Sequence, residues 1–237
     1  MITYEIIVKS IDDAILKCSS DGTTFPKELS KELDNFIKTY GNLEDHEELS
    51  LYDNKGNLLT HEVGEAHGVG VDLDQYDNFG DMHVFHNHPT LFTDNLPTYL
   101  SFADMKTLLR SNYEGNNLLK SVTAVSPNGS RMTLIKTNDF DFDDNARNVM
   151  LNLNSACKEY YETYTDKVID YMTNKAIEYQ NNTGKTIRAT EFRQEASKNV
   201  LKEIGTMQSY LKKNGVLDDL ASVNLKLKIK NGVDING

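Results

Sequence analysis

Two histidines that follow a short apolar run and precede a proline constrain this chain more than any other feature. They lie in the segment Val84-Phe85-His86-Asn87-His88-Pro89. Val84 and Phe85 are typical of the end of a buried strand, and Pro89 ends strand pairing because it has no backbone donor. Side chains alternate along extended backbone, so His86 and His88 leave the strand on the same side. The sequence therefore predicts two imidazoles held by one rigid strand.

A second motif, Ser101-Phe102-Ala103-Asp104, begins a helical pattern shortly afterwards. Ser101 and Asp104 are three residues apart and therefore share a face of the first turn. Two imidazoles and one carboxylate form a three-ligand set, the number that a catalytic zinc takes while it keeps a fourth position for water. We therefore predict a zinc site formed by His86, His88 and Asp104. Two surface histidines beside a capped helix would explain each motif separately, but not their order.

This order of motifs resembles the JAMM motif of the JAB/MPN-plus metalloprotease superfamily. The variant His-Asn-His-Pro with Ser-Phe-Ala-Asp-Met is most similar to the RadC-like and phage or prokaryotic JAB branches, and the resemblance covers about residues 45–136. It implies an α/β fold with a JAB/MPN-like mixed sheet flanked by helices, layered as in cytidine deaminases. It also implies zinc-dependent hydrolysis of a peptide or isopeptide bond, often next to a ubiquitin-like tail.

The segment between Pro89 and Ser101 is a few residues longer than this family usually has. Either the loop at 90–100 bulges over the site, or Asp104 is displaced and another acid such as Asp94 competes for the metal. We favour the bulge, because a helix that starts after Ser101 fits the sequence pattern well.

The same loop is too apolar for a simple solvated connector. Its apolar residues are Leu91, Phe92, Leu96, Pro97, Tyr99 and Leu100. Apolar groups near a site usually contact something, so the loop either packs down as a lid or substrate-binding wall, or completes the local core. Our hypothesis is that Phe92 and Tyr99 line the approach to the zinc.

A strand–turn–strand pattern precedes the metal strand, over residues 47–53 and 58–63. By the period of two, Glu47 shares a face with the leucines at 49 and 51, whereas Glu48 lies on the other face. The leucine face should point inward. Glu47 would then be partly buried, and desolvation makes a carboxylate a better base by raising its pKa.

In the resembled family, a glutamate on the first strand of this hairpin acts on the metal-bound water. We predict Glu47 in that role, with Glu48 and Glu65 as the alternatives. Glu47 would take the proton and pass it to the leaving amine. Ser101 is predicted to hydrogen-bond the bound water or the tetrahedral oxyanion.

The remaining patterns predict a JAB/MPN-like metal-binding domain at 1–140 and a helical extension at 141–237. The first part should contain a strand at 4–8, a helix at 26–40, and a second hairpin over 118–125 and 131–136. Hairpins in place of regular βαβ units favour a largely antiparallel or mixed sheet. The extension should contain a long helix from Asp144, a second helix at about 189–213, and a late edge strand at 223–230.

The composition limits the classes of function that the chain can have and the cellular compartment that we expect for it. The chain has 237 residues, 25 basic and 36 acidic, and a net charge of −11, which argues against binding nucleic acid through phosphates. Two distant cysteines, Cys18 and Cys157, indicate free thiols in a reducing compartment. The sequence has no recognisable signal peptide and no apolar run long enough to span a membrane. We therefore expect a cytoplasmic protein that acts on a protein or peptide.

Two other functions remain open from the sequence. One is a JAB-fold binding or scaffold module without useful catalysis, which would act by docking a partner through the helical extension. The other is a DNA-linked role, implied by similarity to the RadC-like branch and disfavoured by the acidic charge. A base carboxylate beside the metal would distinguish the enzyme from both.

Overall fold

The structure is a computed structural model that describes residues 26–43, 45–66, 68–76, 78–89, 98–113, 119–127, 129–137 and 140–230. The predicted first strand at 4–8 lies outside these residues. The described chain has a mixed α/β fold, as the sequence predicted.

A six-stranded sheet with the order β2-β1-β3-β4-β5-β6 forms the centre of the fold. Its strands are β1 (Glu48–Asp53), β2 (Leu58–Val63), β3 (Met82–Asn87), β4 (Leu119–Val125), β5 (Arg131–Lys136) and β6 (Leu225–Lys230). Only β3 and β4 pair in parallel, and every other neighbouring pair is antiparallel. The sheet is therefore mixed, and both predicted hairpins are present as β1–β2 and β4–β5.

Helices cover both faces of the sheet. They are α1 (Lys27–Tyr40), α2 (Phe102–Tyr113), α3 (Asp144–Thr183), α4 (Arg193–Ile204), α5 (Met207–Lys213) and α6 (Val216–Ser222), with 3-10 turns at Leu73–Tyr76 and Ala189–Phe192. On one face, α1 buries Leu29, Leu33 and Phe36 against Tyr52 and Phe85 of the sheet. None of the helices that the structure describes is both long and apolar enough to cross a bilayer.

The other face of the sheet carries the larger hydrophobic cluster. Leu51 and Val84 from the strands pack there with Leu108 of α2 and Leu153 of α3. Helices α5 and α6 contribute to the same cluster, and β6 pairs with β5 along its whole length. Residues on both sides of position 140 therefore contribute to one core, and the segment predicted as a helical extension ends in a strand of the central sheet.

The prediction of one continuous helix at about 189–213 is wrong, because the segment is interrupted. It consists of a 3-10 turn followed by α4 and α5, which are separated at Gly205. Gly205 has φ +80°, a backbone conformation that costs glycine little and other residues much more. The Tyr160 hydroxyl donates to the Gly205 carbonyl at 2.8 Å, which holds the break against α3. The sequence pattern did not reveal the break, since a single glycine is tolerated within a helical pattern.

Candidate metal centre

The two histidines of the first motif lie at the end of β3, on the sheet face that carries the larger core. His86 is the penultimate residue of β3, and the His88 backbone N–H donates to the Val125 carbonyl at 2.7 Å, beside the end of the strand. The backbone stays extended through both positions, so the imidazoles project on one side. Their Nε2 atoms are 2.9 Å apart.

The second motif brings a carboxylate to the same point. Asp104 lies in the first turn of α2, with Oδ1 3.2 Å from His86 Nε2 and Oδ2 3.4 Å from His88 Nε2. Ser101 and Asp104 form a reciprocal cap. The Asp104 N–H donates to Ser101 Oγ at 3.2 Å, and the Ser101 N–H donates to Asp104 Oδ2 at 2.6 Å. This is a capping box with Asp in the place that Glu usually takes, and it fixes the carboxylate toward the histidines.

His86, His88 and Asp104 form a group that can hold a metal ion. Ligand atoms at about 2.0–2.1 Å from a tetrahedral ion lie roughly 3.3–3.4 Å from one another. The two histidine nitrogens are 2.9 Å apart, and they lie 3.2 and 3.4 Å from Oδ1 and Oδ2 of Asp104 respectively, distances close to that value. Two imidazoles with one carboxylate are an ordinary donor set for a divalent transition metal.

Burial and charge act against each other at this site. Burial alone would raise the pKa of Asp104, but the charges and hydrogen bonds of His86 and His88 outweigh it and hold the pKa well below its usual range. Burial would likewise lower the pKa of His86, which is 3% exposed, but Asp104 outweighs burial and the pKa is raised. The two histidines therefore stabilise the ionised form of Asp104 despite its burial.

Each histidine also has a partner away from the triad. His86 makes a hydrogen bond with the backbone of Thr123 in β4. His88 Nδ1 lies 3.3 Å from Thr98 Oγ1, and the buried Thr98 donates its N–H to Ser130 Oγ at 2.9 Å. Such outer partners fix the ring orientation of metal-binding histidines. Thr98 and Thr123 were not predicted from the sequence, because no pattern in the chain marks them as neighbours of the histidines.

Glu47 lies next to the triad. The β1–β3 ladder ends at the pair Leu49–His86, and alternation along the chain puts Glu47 on the same face as Leu49 and the triad, near the level of His88. Side chains opposite each other across strands share a face. The charge of Glu47 is also among the causes that raise the pKa of His86. Glu47 is half-buried, and its backbone is held by Gly64 and by the Glu65 carbonyl at 2.8 and 3.0 Å.

Glu48 lies on the opposite face of the sheet, away from the triad. Its carboxylate contacts His46 Nε2 at 2.8 Å and His61 Nε2 at 2.6 Å. His61 Nδ1 in turn lies 2.8 Å from Ser50 Oγ. These are the residue types of a hydrolase triad, but Ser50 is 1% exposed and therefore closed to a substrate. The cluster is a buried polar network, and His61 is not near the metal ligands.

The other predicted residues are placed as follows. Glu65 has an exposed side chain, and its backbone carbonyl accepts from the Glu47 N–H. Ser101 Oγ accepts from Asp104, and its hydroxyl hydrogen is an additional donor beside the triad. His83, another histidine of β3 that was not among the predicted residues, points to the other face and lies 2.8 Å from Ser121 Oγ. Asp94 lies outside the described residues, so its competition with Asp104 stays a prediction.

The loop between the motifs is described only from Thr98 onward, and Phe92 lies outside the described part. Leu100 is buried in the larger core, whereas Tyr99 is half-buried, with its ring 5.3 Å from that of Tyr161 on α3. The end of the loop therefore completes the core and joins it to α3. The lid hypothesis for the remainder stays a prediction.

No protein-family model, no curated protein and no solved structure matches this chain.

Proposed function

We propose that this protein is a zinc-dependent metallopeptidase or isopeptidase that uses a JAMM-type site to hydrolyse a peptide or isopeptide bond. One observation carries the proposal: His86, His88 and Asp104 converge on a point beside Glu47, on one face of the sheet. This is the arrangement that the resemblance of the two motifs implies. The class of substrate, a protein or peptide with a ubiquitin-like tail as one candidate, comes from that resemblance.

His86 and His88 would hold the zinc through Nε2, and Asp104 through its carboxylate. A zinc ion held there supplies Lewis acidity and lowers the pKa of water from 15.7 to about 7 in favourable sites. The side chains of His88 and Asp104 are 20% and 16% exposed, so solvent and a substrate can reach them. His86, by contrast, is a buried anchor.

Glu47 is the base in this proposal. Its position on the face of the triad, near the level of His88, allows it to accept a proton beside the metal and then to deliver that proton to the leaving amine. Ser101 is placed to donate its hydroxyl hydrogen to the developing oxyanion. One of its two lone pairs accepts from the Asp104 backbone N–H, which restricts the directions in which the hydroxyl hydrogen can point.

The experiment compares Glu47→Gln with the parent in the full chain loaded with zinc. Substrates are a panel of fluorogenic peptides and lysine-linked isopeptides. Glu47→Gln removes a proton acceptor but no ligand, so zinc content should remain and turnover should fall by about 100- to 10,000-fold. Glu65→Gln, a neighbouring exposed acid, is the control and should keep full activity.

Full activity of Glu47→Gln, with Glu48→Gln inactive, would place the base on the other face of the sheet. Loss of zinc from Glu47→Gln would instead make this residue a ligand. Either result contradicts the assignment of Glu47 as the base.

A further inference from the structure

Asn87, the residue between the two histidines, is fully buried on the opposite face of β3. Its amide makes two hydrogen bonds to the backbone of the segment that leads into β1. Nδ2 donates to the His46 carbonyl at 3.1 Å, and Oδ1 accepts from the Glu48 N–H. These two backbone groups lie immediately before and after Glu47.

The two bonds occur where the main-chain pairing of β1 and β3 stops. The last pair of that ladder is Leu49 with His86. Beyond it, the His88 N–H turns to β4 and donates to the Val125 carbonyl. The Asn87 amide therefore takes over as the link between the metal strand and the residues around Glu47. An amide suits this role because it carries one acceptor and one donor group at a fixed separation.

The side chains that flank Glu47 reinforce this link. The His46 and Glu48 side chains contact each other at 2.8 Å, and Glu48 also contacts His61 at 2.6 Å. The His61 ring stacks on Tyr40 of α1, with centroids 4.6 Å apart. The residues on either side of Glu47 are thus fixed from the face of the sheet that faces away from the metal triad.

We propose that Asn87 is a positioning residue that fixes Glu47 beside the metal triad. It acts through the backbone on either side of Glu47 and contacts neither the metal nor the substrate. Its catalytic consequence rests on the proposed function, because that function makes Glu47 the base. Because side chains alternate along a strand, the single residue between His86 and His88 points to the opposite face of the sheet. There it can hold the strand that carries the base.

The first measurement is amide hydrogen exchange in Asn87→Ala, which does not depend on activity. Exchange at the Glu48 amide, and at the neighbouring Glu47 amide, should become about tenfold faster or more, because a buried hydrogen bond and its restraint are lost. The His88 amide, bonded to Val125, should keep its rate. Unchanged exchange at Glu47 and Glu48 would overturn the proposal, whatever the protein catalyses.

The second measurement is a double-mutant cycle with Glu47→Gln on the zinc-loaded full chain. Asn87→Ala should keep its zinc and lose about 10- to 100-fold in kcat with little change in KM, since a displacement of about 1 Å has such effects. In the Glu47→Gln background it should cause no further loss. The same loss in both backgrounds, or loss of zinc from Asn87→Ala, would make Asn87 a general structural residue and overturn its positioning role.

Asn199→Ala is the matched control, because the Asn199 amide also makes two hydrogen bonds; it donates both, to the Tyr171 hydroxyl and the Glu195 carbonyl, on the helices α3 and α4. It should leave kcat and both exchange rates at their parent values. If Asn87→Ala does not fold, Asn87→Asp is measured in the same way. It keeps the acceptor for Glu48, loses the donor to His46, and should still accelerate exchange at Glu47 and lower kcat.

The two failures are distinguishable. If Glu47→Gln keeps full activity while Asn87→Ala accelerates exchange at Glu47, the proposed base is wrong but Asn87 still fixes this segment. If Glu47→Gln is inactive and Asn87→Ala changes neither exchange nor kcat, the base stands and the role of Asn87 is overturned.

Discussion

Lys136, the last residue of β5, buries its ammonium group against the end of α2. Its Nζ donates to the Leu108 carbonyl at 3.3 Å and lies 5.8 Å from the centre of the Phe140 ring. Burial, followed by the charge of Lys120, lowers the pKa of Lys136 from 10.5 to about 7. The folded protein therefore binds this proton less tightly than the unfolded chain does.

This difference predicts that stability rises with pH through Lys136. Between about pH 7 and 10.5 the unfolded chain binds more protons at this position, so the free energy of unfolding increases with pH, by up to about 1.4 kcal/mol per pH unit. Below about pH 7 both states are protonated, and the contribution of this residue stays constant. Lys136→Met should remove the slope.

Urea denaturation of parent and Lys136→Met across this range measures the slope. The stability of the parent relative to Lys136→Met should increase as the pH rises. Lys158→Met, which changes an exposed lysine on α3, is the control and should follow the parent. Parallel curves for the parent and Lys136→Met would contradict the shifted pKa of Lys136.

Helix α2 carries one of the three predicted metal ligands, and its N-terminal cap is part of the site. Ser101 caps the backbone of Asp104, and the Asp104 carboxylate accepts from the Ser101 backbone. The same two hydrogen bonds begin the helix and orient a metal ligand. Loss of the cap should therefore reduce both stability and metal affinity.

Ser101→Ala should lower the free energy of unfolding by about 0.5–2 kcal/mol, as expected for an N-cap. It should also weaken zinc affinity by about 10-fold, because the uncapped first turn holds Asp104 less firmly, although the Ser101 N–H that binds its carboxylate remains. Chemical denaturation and competition with a metal chelator measure the two quantities. Thr206→Ala removes the cap of α5, where Thr206 accepts from the Ser209 N–H, and should cost similar stability with unchanged affinity. Equal zinc affinity in Ser101→Ala and Thr206→Ala would show that the cap of α2 does not contribute to metal binding.

The elements differ in how well local sequence predicts them. The helix α1, both hairpins and the side on which His86 and His88 project follow from periodicity and turn residues, because these depend on near neighbours. The cap at Ser101 and Asp104 is also local. Sequence alone therefore predicted the three candidate ligands and the face that carries Glu47.

Long-range contacts were not predictable in this way. The link between Thr98 and Ser130, the break at Gly205 and the parallel pairing of β3 with β4 all depend on segments that are distant in sequence. The side chain of Asn87 illustrates the same limit. The alternation of side chains along β3 predicted the face to which Asn87 points, but not the strand that its amide contacts there. Only the register of β1 on β3 supplies that partner.

In the described part of the chain, the sheet and the helices that follow residue 140 share the larger of two hydrophobic cores. Leu153 of α3 is completely buried in the cluster that contains Leu51 and Val84, whereas Leu151 on the same helix is exposed. β6 completes the sheet beside β5. Loss of packing on α3 should therefore destabilise the sheet as well as the helices.

Leu153→Ala should lower the free energy of unfolding by about 2–5 kcal/mol, because it leaves a cavity in this core. The helix and sheet signals, followed by infrared spectroscopy, should shift together in one transition. Leu151→Ala is the matched control and should change stability by about 0.5 kcal/mol or less. A variant in which the helices melt early while the sheet keeps the parent's transition would show that the segment after residue 140 folds separately.

X-ray absorption spectroscopy of the full chain after zinc loading shows directly which atoms bind the metal. We expect about one zinc per chain, with two imidazole nitrogens, the remaining ligands oxygen, and no sulfur. Nitrogen and oxygen ligands should lie at about 2.0–2.2 Å, and His88→Ala should lose the metal. A chain that takes up no zinc, a sphere that contains sulfur, or zinc retained unchanged by His88→Ala would contradict a metal centre formed by His86, His88 and Asp104.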